Sequence, residues 1–512
     1  VTSLPLLLLL AAGDAAASPG YDALVELGVA QGRDGRLDEA QRTLDRAVAL
    51  DPRAAAAWRE RGGLHFLRRE YAEAARDFRR AWRLERDAYS TRMLGNALHL
   101  LGRHEDALEA WNRAGMPSVR EIHIQGLEEL PPSMVRRELR VSEGDLLTAR
   151  GMRETRLRLD ETDAFSRFSF RPALQEGGSA DLEIVAGERR GFGPRAAFLV
   201  TTGGYALASK VRLRYDNLWP GVTPAVEYKW ESTQPRLRGF LNWARPLGLD
   251  LNLRLEGVVF TRPSYDLDGP LRMDAHGIDL AVRRVLGPAT VAELGFRTRT
   301  RDFTEPRPDA QDGRWTGLEG ALEHGLLGGR HQVDALARGF HTAGALGSDL
   351  SYGTVQAAVR YRGLVAGDDG TVMPGSMVAC RVLGGWGTSG TPLDAMFAPG
   401  AGSEMDYPLR GHRQKIDGVL GAEPIGRRLA LVNVEWRQRL FRVTRWSASL
   451  GAVAFYDGGR IEGTTQGIDQ TIHDVGLGVR LRIGAAMLRA DYGASLTGDG
   501  KNALTFGFGQ VF

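Results

Sequence analysis

From Pro194 to the last residue, Phe512, the chain keeps a hydrophobic period of two, and few folds accept that over three hundred residues. Lys210, Arg212, Arg214 and Asp216 alternate with Val211, Leu213 and Tyr215. Asp250, Asn252, Arg254 and Glu256 alternate with Leu249, Leu251, Leu253 and Leu255, and Arg480 and Arg482 with Val479, Leu481 and Ile483. Period two places one set of side chains on each face of a strand. A soluble sandwich would hide the apolar set against a second sheet. Here the polar set carries both charge signs, aromatic residues sit near strand ends, and about sixteen segments fit between Ala196 and Phe512, an even number as bacterial barrels require. The pattern predicts a sixteen-stranded antiparallel transmembrane β-barrel over residues 195–512, apolar outside and wet inside.

Composition agrees. Glycine makes up 65 of 512 residues, against roughly 7 % in average proteins, and its excess lies after Gly187. Mean hydropathy is −0.25 and no internal stretch approaches the roughly 20 apolar residues of a spanning helix, yet a low mean does not exclude barrel strands, whose alternation averages out. The formal charge of +3 gives no reason to invoke nucleic acid. Cys380 is the single cysteine, so no intrachain disulfide and no thiolate metal site can form. The ten histidines are scattered, and no Ser/His/Asp grouping has supporting spacing. The expectation is a non-enzyme with no catalytic residues, no metal and no cofactor.

The chain ahead of the barrel is not uniform, so the fold class is multidomain. Leu4 to Ala12 is apolar and leads to Ala15-Ala16-Ala17-Ser18, which predicts a signal peptide over residues 1–17. Residues 21–116 repeat themselves. Gly28, Gly62 and Gly95 recur at intervals of 34 and 33, as do Ala40, Ala74 and Ala107, then Leu44, Phe78 and Trp111, then Ala47, Ala81 and Ala114. Small residues where two helices cross and large ones between them, at this period, make three α-helical tetratricopeptide repeats. Such stacks bind peptides or partner proteins, or serve as spacers.

Residues 118–190 read as β-α-α-β-β. A strand from Val119 ends at Gly126, a helix follows Pro131-Pro132, Gly144 breaks the chain, and Thr148 caps a second helix. Ala164 to Pro172 and Asp181 to Glu188 are the closing strands. This order resembles a single POTRA domain, the periplasmic module of outer-membrane assembly and secretion barrels. The resemblance implies capture of client chains by strand addition at a sheet edge.

The longest loop of the barrel runs from about Thr388 to Ile425 and holds Leu409-Arg410-Gly411-His412. On the following strand, Glu435 shares a face with Asn433, Arg437 and Arg439, opposite Val432, Val434 and Trp436. One strand on, Asp457 opposes the apolar stripe of Leu450, Ala452, Ala454 and Tyr456. Both carboxylates therefore point into the lumen from adjacent strands, where the planar fork of one arginine can take both.

These residues resemble the superfamily of BamA, TamA and FhaC. Leu409-Arg410-Gly411-His412 is similar to its Val-Arg-Gly-Phe/Tyr loop motif, with His412 in place of the aromatic residue. Phe455, Asp457 and Gly459 match its Phe-x-Asp-x-Gly strand motif, and Glu435 its acidic residue one strand earlier. The resemblance implies that Arg410 anchors the loop inside the barrel on Glu435 and Asp457. Leu504, Phe506, Phe508 and Phe512 fall on one face of the last strand and resemble the C-terminal signal by which outer-membrane barrels are recognised for assembly.

The implied function is assembly, insertion or translocation of polypeptides in the outer membrane of a Gram-negative bacterium, with repeats and POTRA domain in the periplasm. Its partners would be the lipid bilayer, unfolded or secreted client polypeptides, and periplasmic proteins on the repeats. The family's lateral opening would lie between Ala196 to Gly204 and Ala503 to Phe512. Alternatives are a two-partner secretion transporter, a polysaccharide export channel with a repeat scaffold, and a barrel that only displays the repeats.

Overall fold

The computed structural model describes residues 19–512 except 176, 194, 208, 232, 268, 328–330, 367–371, 402–405, 418, 422, 444–447, 468, 484–485 and 498–500. The segment expected to be a signal peptide lies outside the described residues. The described residues form two compact units: 19–126 with Leu139–Arg153 and Phe168–Ala186, and Leu127–Glu138 with Glu154–Arg167 and Gly187–Phe512.

The first unit opens with three helical hairpins: α1 (Pro19–Arg33) and α2 (Leu37–Leu50), α3 (Ala55–Leu67) and α4 (Tyr71–Leu84), α5 (Ala88–Leu100) and α6 (His104–Asn112). The repeating glycines and the repeating large residues meet each other. A methyl group on Gly28 would stand 2.8 Å from Leu44, one on Gly62 3.2 Å from Phe78, and one on Gly95 2.3 Å from the indole of Trp111. Each glycine thus lets its own hairpin close on one large side chain, and Trp111 is fully buried. Gly95→Ala is therefore expected to destabilise the repeats by about 1–3 kcal/mol through overpacking. Gly28→Ala is expected to cost less, because the added methyl meets the flexible Leu44 side chain at 2.8 Å rather than a rigid indole at 2.3 Å. Faster amide hydrogen exchange across residues 88–116 of the full chain reads the difference.

Next come β1 (Ser118–Gln125), α7 (Pro132–Arg136), α8 (Ala149–Thr162), β2 (Phe165–Leu174) and β3 (Ser179–Glu188). Their sheet has the order β1-β3-β2, with β1 and β3 parallel. Thr148 Oγ1 accepts from Gly151 N at 3.0 Å and so starts α8. Gly126 is required after β1, since its φ is +84° and a Cβ there would stand 2.6 Å from the Ala186 carbonyl oxygen.

Within the second unit, Glu138 and Asp250 alternate with Arg158 and Arg245 in a ring of ion pairs beside the barrel strands. Glu161 takes Arg283 through two bonds of 2.9 Å. These ties join Leu127–Glu138 and Glu154–Arg167 to the barrel.

Residues Arg195–Leu207 form a helix, α9, where the alternation reading expects the first barrel strand at Ala196 to Gly204. Ala196 to Val200 is an unbroken apolar run, which suits either element, while Phe198, Thr202 and Tyr205 recur at helical spacing. Phe198 packs on Phe192, and Phe192 on Tyr215, with ring centroids 5.5 and 5.2 Å apart.

The barrel strands follow: β4 (Lys210–Arg214), β5 (Val222–Lys229), β6 (Arg236–Ala244), β7 (Asn252–Thr261), short β8 (Ser264–Asp266), β9 (Pro270–Gly287) and β10 (Thr290–Phe303). Then come β11 (Gly313–Leu327), β12 (His331–Thr342), β13 (Gly353–Ala366), β14 (Val372–Gly387), short β15 (Lys415–Ile416) and β16 (Val419–Leu420), and β17 (Gly426–Val443). The last are β18 (Ala448–Thr464), β19 (Gln470–Ile483), β20 (Ala486–Ser495) and β21 (Asn502–Phe508). The order is that of a barrel, with β21 next to β4. Strand β14 pairs directly with β17, so the loop between them leaves the main ladder. Without the short β8, β15 and β16, the eighteen strands from β4 to β21 leave fifteen in that antiparallel ladder among the described residues, against the sixteen expected; α9 occupies the place of the first.

The ladder is apolar on its outer face. On β17, Val432 and Trp436 are 40 % and 53 % exposed, while Asn433 and Glu435 on the other face are fully buried. A sheet that exposes tryptophan and hides carboxylates is built for lipid outside and polar groups inside.

The chain end departs from the sequence reading. Leu504 and Phe506 face outward, exposed, but Phe512 does not join them. Strand β21 stops at Phe508, and Gly509 has φ +73°, which turns the chain inward. The Phe512 ring then lies 5.4 Å from the Arg381 guanidinium and 5.5 Å from that of Arg437, and its carbonyl oxygen accepts from Arg437 Nη2 at 2.9 Å. The side chain of Phe508 lies outside the described residues.

Candidate functional site: a loop held inside the barrel

Inward-facing residues of neighbouring strands fall into rows set by the ladder register. One row runs Arg360 (β13), Arg381 (β14), Asn433 (β17), Asp457 (β18), Asp474 (β19) and Ser495 (β20), each opposite the next. A second runs Glu435, Phe455, Gly476 and Gly493. Asp457 and Asp474 stand side by side with like charge, an arrangement that costs energy unless positive charge or N–H donors cover it. The loop between β14 and β17 supplies both.

Arg410 is fully buried over these rows. Its Nε and Nη2 donate to the two oxygens of Asp457 at 2.7 and 2.8 Å, and its backbone N–H to the same carboxylate at 3.1 Å. Nη1 donates to Glu435. The guanidinium lies flat on Phe455, 3.5 Å from the ring centroid. All three side-chain nitrogens thus have a carboxylate partner and one face has an aromatic partner. A lysine cannot reproduce that, since it offers a single charged point.

The neighbours in the motif add to the lock. Gly411 N donates to Asp474 at 2.8 Å, and His412 Nδ1 lies 3.0 Å from the other oxygen of that carboxylate. Leu409 is buried in an apolar layer with Leu383, Leu429, Leu431, Ile461 and Ile472. Glu435 receives Arg437 Nε at 2.7 Å, and Asn433 Nδ2 donates to Asp457 at 2.8 Å and to the Pro408 carbonyl at 2.9 Å.

Close approach dictates the glycines. A Cβ on Gly476 would stand 2.3 Å from the Phe455 ring, and one on Gly493 2.3 Å from the Arg410 carbonyl oxygen. A Cβ on Gly459 would stand 3.1 Å from Leu409, and one on Gly411 2.5 Å from Asp474. The strands are cut away where the loop backbone and the ring beneath Arg410 come down.

The structure therefore brings Arg410, Glu435, Asp457 and Phe455 into one cluster, with Leu409, Gly411, His412 and Gly459 around it. Leu504 and Phe506 are elsewhere, on the outer face of β21, and Phe512 joins through Arg437. Asn433, Asp474, Gly476 and Gly493 belong to the site but are not singled out by the sequence. Their signal is register: Asp474 lies directly opposite Asp457 and alternates with outward-facing His473.

The Omp85 superfamily domain profile matches residues 335–512, the stretch that holds the loop, Arg410 and all of its carboxylate partners. Residues 335–512 thus carry an Omp85 superfamily domain. Tetratricopeptide repeat profiles match residues 25–90 and 68–116, ahead of that domain. Among solved structures the chain is similar to CdiB from Acinetobacter baumannii, at TM-score 0.52 and 12 % identity, covering 81 % of this chain and 81 % of that chain. It is similar to CdiB from Escherichia coli at TM-score 0.55 and 11 % identity, covering 76 % and 75 %. BamA from Haemophilus ducreyi lacking POTRA domains 1–3 aligns at TM-score 0.46 and 13 % identity, covering 76 % and 83 %. At these identities the likeness to the CdiB structures is one of fold alone. No curated protein matches the chain.

Proposed function

We propose that this Omp85 barrel inserts or translocates polypeptides at the outer membrane of a Gram-negative bacterium and is not an enzyme. In this reading residues 118–190 are a single POTRA domain on the periplasmic side, and the repeats at 21–116 receive clients or partners there. The observation that carries it is the burial of Arg410 between Glu435 and Asp457. A loop locked into the lumen by three buried charges narrows the barrel with its own chain, which suits a device that handles one polypeptide rather than an open pore for small solutes.

The seam supports insertion. Fifteen strands in an antiparallel ladder leave β4 and β21 running the same way, so one more strand placed between them would be antiparallel to both. The two strands are short, five and seven residues. The chain before α9 already begins such a strand: Gly191 and Asp216 exchange both backbone bonds, at 3.0 and 2.7 Å. Residues 191–207 supply a sixteenth strand in this reading, and a client strand competes for the same place.

Full-length protein reconstituted in liposomes is expected to accelerate insertion of an unfolded outer-membrane barrel, and deletion of residues 19–190 to remove most of the gain. Insertion no faster than in empty liposomes would sink the insertion reading. A secreted protein that crosses the bilayer in the same vesicles, without inserted product, would support translocation.

A further inference from the structure

The helical repeats distribute their charge unevenly. On α4, Arg79, Trp82 and Arg83 stand three and four residues apart and so share one face. Arg86 follows two residues past the end of α4, and α6 is flanked by Arg103 and Arg113. The guanidiniums of Arg113 and Arg86 lie 4.5 and 5.7 Å from the centre of the Trp82 ring. The half-buried indole thus gathers one cation from the end of the second hairpin and one from the end of the third.

Counter-charge is present on this face but outnumbered. Burial, then the neighbouring Arg103 and Arg83, push the Arg79 pKa below the usual arginine range, with Arg113 acting the same way and Asp106 against them. Four arginines therefore act on one another around Asp106, and Asp106 also takes Arg103 Nε at 2.7 Å. Glu85, next to Arg86 in the chain, takes Arg59, and Glu73 on the first turn of α4 takes Arg76 at 2.7 Å. Arg83, Arg86, Arg103 and Arg113 are exposed. Like charges four residues apart, such as Arg79 and Arg83, weaken a helix, and a net positive face raises the local concentration of anions. A partner of opposite sign recovers that cost.

We infer that the face formed by Arg79, Arg83, Arg86 and Arg113 docks an acidic segment of a partner polypeptide. Each guanidinium offers a planar fork that matches the two oxygens of a carboxylate. Arg79 and Arg83 stand about 5–6 Å apart along the helix, close to the roughly 6.6 Å between alternate side chains of an extended chain. A lipid surface fits less well, because the ring of Trp82 is occupied by two guanidiniums and is not offered to acyl chains. The inference rests on the reading of the repeats as the receiving module. Binding in detergent is measured without insertion, so a failed titration and a failed liposome assay are distinguishable.

Fluorescence anisotropy on the detergent-purified full chain tests it, with a labelled Glu-Ser repeat peptide as probe and its Gln-Ser counterpart as control. The Glu-Ser peptide is expected to bind and the Gln-Ser peptide not, with binding that weakens as salt is raised. Arg83→Gln/Arg86→Gln is expected to weaken it about fivefold or more. Arg42→Gln/Arg46→Gln removes as many exposed charges from α2 and is expected to leave it unchanged. Arg83→Lys/Arg86→Lys, which keeps the charge and loses the forks, is expected to give an intermediate affinity. Helical circular dichroism and heat-modifiable migration check that repeats and barrel are folded in each variant. No binding by the wild type, equal binding by Arg83→Gln/Arg86→Gln, or equal weakening in the α2 variant would overturn the inference. So would dihexanoyl phosphatidylglycerol displacing the probe at lower concentration than unlabelled Glu-Ser peptide does, since the face would then prefer a lipid headgroup.

Discussion

Arg410→Ala is expected to release the loop from the lumen and to abolish insertion or translocation while the barrel still forms. The arginine is fully buried, and so are Glu435 and Asp457. Among the described residues, removing it leaves Asp457 with only Asn433 as a side-chain donor, and Glu435 with Arg437 and the more distant Arg480. Breaking a buried ion pair from one side costs about 3–5 kcal/mol, because the remaining charge stays desolvated. The loop has an alternative that the strands lack, since it can leave, hydrate and let water reach the carboxylates. Protease cleavage within residues 388–425 of the folded protein should therefore rise sharply. Arg410→Lys should fall between wild type and alanine, since it restores charge but neither the fork on Asp457 nor the flat contact with Phe455. A variant whose loop resists protease as the wild type does would remove the cluster from the account.

Gly493→Val should give nearly the same phenotype without touching a charge. A Cβ there would lie 2.3 Å from the Arg410 carbonyl oxygen and 2.4 Å from its carbonyl carbon. Those are backbone atoms held by Asp457 and Asp474, so the loop must lift and the fork on Asp457 is lost. The strand itself has little to lose, because valine suits a strand better than glycine. Gly384→Val is the matched control: it sits on β14 with nothing within 4 Å of its Cβ. Loop cleavage should rise in the first variant and stay at the wild-type rate in the second. Equal rates would mean that the loop does not rest on β20.

Much of this was legible in the sequence because periodicity and spacing report which face a residue occupies. The glycines at 28, 62 and 95 mark the helix crossings, and the inward facing of Glu435 and Asp457 follows from alternation with Val432, Val434, Trp436 and Tyr456. What alternation does not report is register. Asn433, Asp474 and Gly493 reach the site only because β17, β18, β19 and β20 align them, and that alignment is a property of the closed-in sheet rather than of any one strand. Arg195–Leu207 misled because an unbroken apolar run fits helix and strand alike. Phe512 misled because one glycine, Gly509, ends the alternation that Leu504 and Phe506 begin.

Arg410 and Asp457 act as one lock on the lumen loop. A double-mutant cycle on Arg410→Ala and Asp457→Ala measures it most directly, with the rate of protease cleavage within residues 388–425 as the readout. Residues that bond each other give non-additive effects. Either single variant is expected to expose the loop, and combining them to add little further. Two effects that simply multiply would contradict it, because the arginine and the carboxylate would then be holding different things.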